Sequence, residues 1–198
     1  MKRIRPIHGY PEGVRFRAFI SVDIVPDDAL VEVVRRLASS RADLKTVKPE
    51  LAHLTLKFLG EADESLVPDI MDKIARTVEG QVPFTIRLKG MGAFPSLSNI
   101  RVVWVGIEDG VPLQRIAHGL EEAMSELGFE KEKRDFKPHL TLARARSARN
   151  IGAVQEIIRG NAATDFGEYR VDRVLLKKSV LTPQGPIYST VAEQPLGS

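Results

Sequence analysis

The chain has 198 residues, enough for one good-sized domain or two small lobes, and its 43% hydrophobic and 28% charged content is that of an ordinary globular protein. It has no cysteine, which excludes disulfides, thiolate nucleophiles and cysteine metal sites. No apolar run approaches the ~20 residues of a membrane span, and the net charge of +3 is too mild to identify a partner.

The basic start, "MKRIRPIHGYPEGVRFR", is not followed by an apolar stretch of signal-peptide type, so the expected location is the cytoplasm. "RFRAFISVDI" has strand character. Asp27 or Asp28 then caps a predicted helix through "ALVEVVRRLASS", where Leu30, Val33, Val34 and Leu37 recur at helical spacing. "AHLTLKFLG" reads as a strand ending at Gly60. A second helix follows in "ESLVPDIMDKIARTVEG", with Pro68 in its first turn and Gly80 as its stop. "PFTIRLKGMGAF" is another strand, and "GMGAFPSLSN" is the one hinge candidate.

The pattern then restarts. "NIRVVWVGI" is a strand, "VPLQRIAHGLEEAMSELG" a helix, "KPHLTLARAR" a strand and "NIGAVQEIIRG" a short helix. "GEYRVDRVLLKKSVL" and "IYSTVAEQ" close the chain as two strands joined by the turn "TPQG". The order is that of a duplicated unit, with repeats over about 16–93 and 100–193, preceded by an extension over 1–15. The expected fold is α+β and bilobal: one domain over 16–198, its two lobes related by a pseudo-two-fold axis.

Two of the four histidines fall in the same phrase, His-Leu-Thr-Leu, at His53 and His139. Side chains on a strand alternate faces, so His53 with Thr55, and His139 with Thr141, share one face while the leucines take the other. Two histidines and two threonine hydroxyls facing one cleft suit phosphodiester chemistry. A neutral imidazole accepts a proton from an attacking oxygen, a protonated one donates to a leaving oxygen, and the hydroxyls hydrogen-bond the phosphate. The segment "KEKRDFKPHLTLARARSAR" carries seven Lys/Arg against two acids, which fits an anionic ligand.

A metal site would want three or four ligands, and the other histidines are poorly placed to supply them. His118 shares a helix face with Arg115 and Glu122, and His8 lies in the N-terminal extension. The chain contains no G-x-S-x-G, P-loop or G-x-G-x-x-G.

At these residues the sequence resembles the 2H phosphoesterase superfamily, and within it the RNA 2′,3′-cyclic phosphodiesterase, or 2′-5′ RNA ligase-like, family. The matching phrases are "RAFISVDI", "HLTLKFLGE", "GAFPS", "RVVWVGI" and "KPHLTLARAR", in the family's order over about positions 17–182. The resemblance implies antiparallel sheets facing across a cleft, and hydrolysis of RNA 2′,3′-cyclic phosphate ends to 2′-phosphate without metal or other cofactor. Some members also join or cleave 2′-5′ linkages. By motif position it implies His53 and His139 as the catalytic pair and Thr55 and Thr141 as the phosphate holders. We assign His139 to activate water and His53 to protonate the 3′ oxygen, while the symmetry of the motifs leaves the reverse open. Expected substrates are RNA or nucleotide ends with a 2′,3′-cyclic phosphate, tRNA fragments among them, with no membrane and no obligate protein partner. The alternatives are a non-catalytic nucleotide- or RNA-binding module and a sister activity such as 3′-end RNA trimming or ADP-ribose cyclic phosphate hydrolysis.

Further substrate-binding candidates are Lys57, Arg144, Phe58 and Phe94. Lys57 has the parity of His53 and Thr55 and is expected to reach the cleft. Arg144 has the opposite parity to His139, and an inward position requires a twist or strand end. Phe58 and Phe94 are candidates to stack on a base. Two departures from the family pattern stand out: Val47 lies where the family often has a tryptophan before its first motif, and the first fifteen residues have no counterpart.

Overall fold

The computed structural model describes residues 13–182 and 185–197. His8, most of the N-terminal extension and the centre of the "TPQG" turn lie outside the described residues. The elements run β1 (Arg15–Asp23), α1 (Asp28–Ser39), β2 (Leu44–Thr46), β3 (His53–Asp63), α2 (Val67–Thr77), β4 (Phe84–Ser96), β5 (Asn99–Glu108), α3 (Val111–Glu126), β6 (His139–Ala145), α4 (Ile151–Gly160), β7 (Asp165–Val171), β8 (Arg173–Thr182) and β9 (Gly185–Pro195).

Helix α1 forms as its sequence dictates. The Asp27 side chain accepts from the Leu30 amide at 2.9 Å, and Leu30, Val33, Val34 and Leu37 make one buried stripe. Helix α2 starts later than its pattern predicts, because Glu64–Leu66 forms a 3₁₀ turn capped by Asp63. It buries Ile70 and Ile74.

The strands form two antiparallel sheets, in the orders β3-β1-β8-β9 and β2-β6-β5-β4-β7. Helices α2 and α3 pack on the first sheet through β9 and β3, and α1 and α4 on the second through β6 and β4. The α+β, two-sheet architecture is therefore the expected one. The sequence halves, however, do not map one to a sheet. Strand β4, from the first half, lies in the second sheet, and β8 and β9, from the second half, lie in the first. Long antiparallel pairings rather than chain order decide sheet membership.

Three local expectations need correction. "GMGAFPSLSN" is no hinge: it is the end of β4 and the hairpin into β5. Its glycines serve close approach, since a Cβ on Gly92 would lie 2.2 Å from Cζ2 of Trp104. "GEYRVDRVLLKKSVL" is two strands, β7 and β8, which leave for different sheets at Asp172. No glycine or proline marks that switch in the sequence. Strand β3 does not stop at Gly60 but runs through it, at φ +72°, to Asp63.

Candidate active site

Strands β3 and β6 carry the two motifs and pack against one another, one from each sheet. In both, the leucines sink into the core: Leu54, Leu56, Leu140 and Leu142 are all buried. Burial of each pair contributes roughly 4 kcal/mol and fixes which way the histidine and threonine face. His53, Thr55, His139 and Thr141 are half-buried on the opposite face.

Each imidazole is held in the same way. His53 Nδ1 lies 2.8 Å from the Leu51 carbonyl, and His139 Nδ1 lies 2.7 Å from the Lys137 carbonyl. A carbonyl only accepts, so Nδ1 carries the proton and donates it. The working nitrogen of each neutral ring is then Nε2, with a free lone pair. The local routes differ: Leu51 closes a 3₁₀ turn begun by Pro49, whereas Lys137 is turned by Pro138. Both deliver a carbonyl two residues ahead of the ring.

Aromatic rings brace both histidines. Phe19 and Tyr188 lie 5.0 and 5.1 Å from His53, the latter edge-on. Phe94 lies 5.1 Å from His139, also edge-on, and is itself backed by Trp104 at 5.1 Å. These contacts restrict ring rotation without using a polar atom.

Burial pushes the pKa of both histidines below the ordinary value near 6.5, and the backbone carbonyl at Nδ1 partly opposes it. The Arg144 charge lowers both, so this one guanidinium is felt at both motifs as well as at Tyr188. At His53 two more groups act: Lys177 lowers the pKa and Asp23 raises it. These two form a pair of their own, with Lys177 Nζ 2.7 Å from each oxygen of Asp23. The rings are therefore biased toward the neutral form until an anion arrives. A bound phosphate would favour the imidazolium and restore an acid.

The four flanking candidates divide. Lys57 does not reach the cleft. It is 2% exposed and points to the leucine side, where Nζ donates to Glu121 Oε2 and to the Glu130 carbonyl, both at 2.7 Å. The reason is a β-bulge: Ser21 pairs with Thr55 and Ile20 with Lys57, so Leu56 has no partner and the parity shifts by one. The same shift turns Phe58 outward, 53% exposed, with its ring 6.3 Å from Phe19. Strand β6 has its bulge at the equivalent place. Trp104 pairs with Thr141 and Val103 with Ala143, leaving Leu142 unpaired and carrying Arg144 to the cleft face. Phe94 stands against His139 and Trp104, where its ring braces the histidine. His118 is exposed on α3, as its helix face indicated.

Sequence reasoning missed Phe19, Asp23, Trp104, Lys177 and Tyr188. For the first two the signal was present: in "AFISVD", Phe19, Ser21 and Asp23 alternate with core residues and pair with β3. Lys177 and Tyr188 come from β8 and β9, whose membership of this sheet was not legible. Val47 donates its amide to the Leu142 carbonyl at 2.7 Å, and Trp104 stands opposite Thr141 in the β5–β6 ladder.

Comparisons with known proteins show the family and the fold. A family model described as the 2′-5′ RNA ligase superfamily matches residues 25–180, and the chain belongs to that superfamily. A curated RNA 2′,3′-cyclic phosphodiesterase of Aeropyrum pernix is 40% identical over 158 residues, which cover 79% of this chain and 89% of that protein. A second, from Methanothermobacter thermautotrophicus, is 38% identical over 180 residues, covering 89% of this chain and 96% of the relative. A crystal structure of a Thermus thermophilus protein superposes with a TM-score of 0.74 at 32% identity, over 91% of this chain and 97% of that one.

Proposed function

We propose that the protein hydrolyses 2′,3′-cyclic phosphate ends of RNA to 2′-phosphates, without a metal ion, through His53 and His139. The observation that carries the reading is the paired geometry: two histidines, each with Nδ1 anchored on a carbonyl and Nε2 left free, each beside a threonine on the same strand face. The activity follows the relatives, which are RNA 2′,3′-cyclic phosphodiesterases.

In this mechanism the Nε2 lone pair of His139 takes a proton from water as its oxygen attacks phosphorus. The P–O3′ bond breaks, and the 3′ oxygen leaves with the proton from Nε2 of an imidazolium at His53. The product is a 2′-phosphate with a free 3′ hydroxyl. The cycle ends with His139 charged and His53 neutral, and one proton exchange through solvent resets the pair. Thr55 and Thr141 donate to the non-bridging oxygens, and Arg144 supplies positive charge as negative charge builds on phosphorus. The ring strain of the cyclic phosphate makes a metal-free route reasonable. Both rings are tethered alike, so the same geometry serves the reverse order, with His53 as base and His139 as acid.

The test is turnover of each 2′,3′-cyclic nucleotide in the presence of EDTA, with product identification. A 2′-nucleotide is the expected product. A 3′-nucleotide would overturn the leaving-group assignment, and loss of activity in EDTA would overturn the metal-free mechanism.

A further inference from the structure

Strand β2, which no pattern in the sequence marked, lies at the edge of the second sheet beside motif strand β6. In its ladder Lys45 stands directly opposite Arg144. Leu44 packs on the core, so Lys45, its neighbour in the strand, faces the other way, onto the cleft side with Arg144. Arg146, two residues beyond Arg144, keeps that face, and its amide donates to the Asp43 carbonyl at 2.9 Å. Lys45, Arg144 and Arg146 are all exposed.

Like charges directly opposed across a ladder repel. Some exposed cations elsewhere are matched, as Arg35 is with Glu32 and Arg87 with Asp165 and Glu168, and others, such as Arg36 and Arg101, close no ion pair among the described residues. What sets this edge apart is that its cations oppose one another in one ladder beside a motif strand. Lys45, Arg144 and Arg146 close no ion pair among the described residues, and neither does nearby Asp43. An unneutralised, self-repelling group of cations continuous with the motif face is suited to an anion that the protein itself does not supply.

We infer that the β2–β6 edge is a second phosphate subsite, in which Lys45 and Arg146 hold backbone phosphates of the RNA chain upstream of the reacting end. The inference rests on the proposed activity and adds to it the place where the RNA chain upstream of the reacting end is held. A 2′,3′-cyclic phosphate terminates its strand, so every other phosphate of the substrate lies on the 5′ side. A cationic strip that begins at Arg144, beside the reacting group, and runs outward through Lys45 can meet only those phosphates. The preferred substrate is then an oligoribonucleotide end rather than a cyclic mononucleotide.

The experiment measures kcat and KM of the full chain on a 2′,3′-cyclic mononucleotide and on a short single-stranded oligoribonucleotide ending in the same group, from about 50 to about 200 mM salt. The wild type is expected to show the lower KM on the oligomer, with a steeper rise as salt increases. Lys45→Ala and Arg146→Ala should each raise the ratio of oligomer KM to mononucleotide KM about three-fold, and flatten the logarithmic salt slope of the oligomer by about 0.7. Lys45→Arg should restore both quantities. Equal KM values and salt slopes for the two substrates in the wild type would overturn the inference while leaving the proposed activity intact. So would a Lys45→Ala variant that shifts both substrates alike. Absence of turnover on both substrates would remove the activity itself, and the subsite with it.

Discussion

Strands β3 and β6 carry one phrase twice, and the structure uses its flanks in opposite ways. Both strands bulge at the second leucine, Leu56 in one and Leu142 in the other. Both therefore turn the residue after the phrase inward and the next one outward. On β3 the inward residue is Lys57 and the outward one Phe58; on β6 they are Ala143 and Arg144. A buried cation on one strand thus corresponds to a methyl group on the other, and an exposed ring on one corresponds to a guanidinium on the other. The bulge keeps the two histidine–threonine pairs equivalent while letting the rest of each strand diverge. Beyond the phrase, β3 adds the exposed ring of Phe58 beside Phe19, and β6 adds the charge of Arg144.

The equivalence of the pairs is tested most severely at the histidines. His53→Ala and His139→Ala should each reduce kcat by about 10²-fold or more while the chain still folds, because each removes one of the two proposed proton-transfer groups. If one variant retained near wild-type turnover, the paired mechanism would be wrong.

The divergence is tested at the inward positions. Glu121→Gln leaves the Lys57 ammonium, whose side chain is 0% exposed, without its carboxylate, and should destabilise the fold by about 3 kcal/mol in urea unfolding. Ala143 offers no comparable anchor on β6, so the loss belongs to one strand only. A change below about 0.5 kcal/mol would show that the Glu130 carbonyl and solvent suffice.

Thr55→Val and Thr141→Val keep the side-chain shape and remove the hydroxyl. Each should lower kcat/KM roughly ten-fold, the worth of a hydrogen bond to a charged oxygen. If only one did so, the phosphate would be held from a single strand.

The subtlest difference is in pH dependence. Burial and the Arg144 charge hold both rings below the ordinary histidine value, so the proposed acid loses its proton early in the free protein as pH rises. The alkaline limb of kcat/KM should therefore fall below about pH 6.5. Arg144→Met removes a positive charge that disfavours the imidazolium, so that limb should move upward, alongside any loss of rate. A limb that stayed in place would mean that Arg144 does not set the protonation of the pair.

Much of this protein was legible in its sequence. The helices followed from apolar spacing and caps, the two motif strands from the repeated phrase, and the shared face of each histidine and threonine from the two-residue period of a strand. These are local properties, fixed by a few residues and their neighbours. The third dimension decided what depends on pairing. Whether Leu56 and Leu142 bulge is settled by the strands opposite them, and that register sent Lys57 inward and Arg144 outward, against simple alternation. The exchange of β4, β8 and β9 between the sequence halves, and with it the arrival of Lys177 and Tyr188 beside His53, depends on long-range ladders. A strand's own residues state which of its faces is apolar, but they do not say which strand will lie beside it.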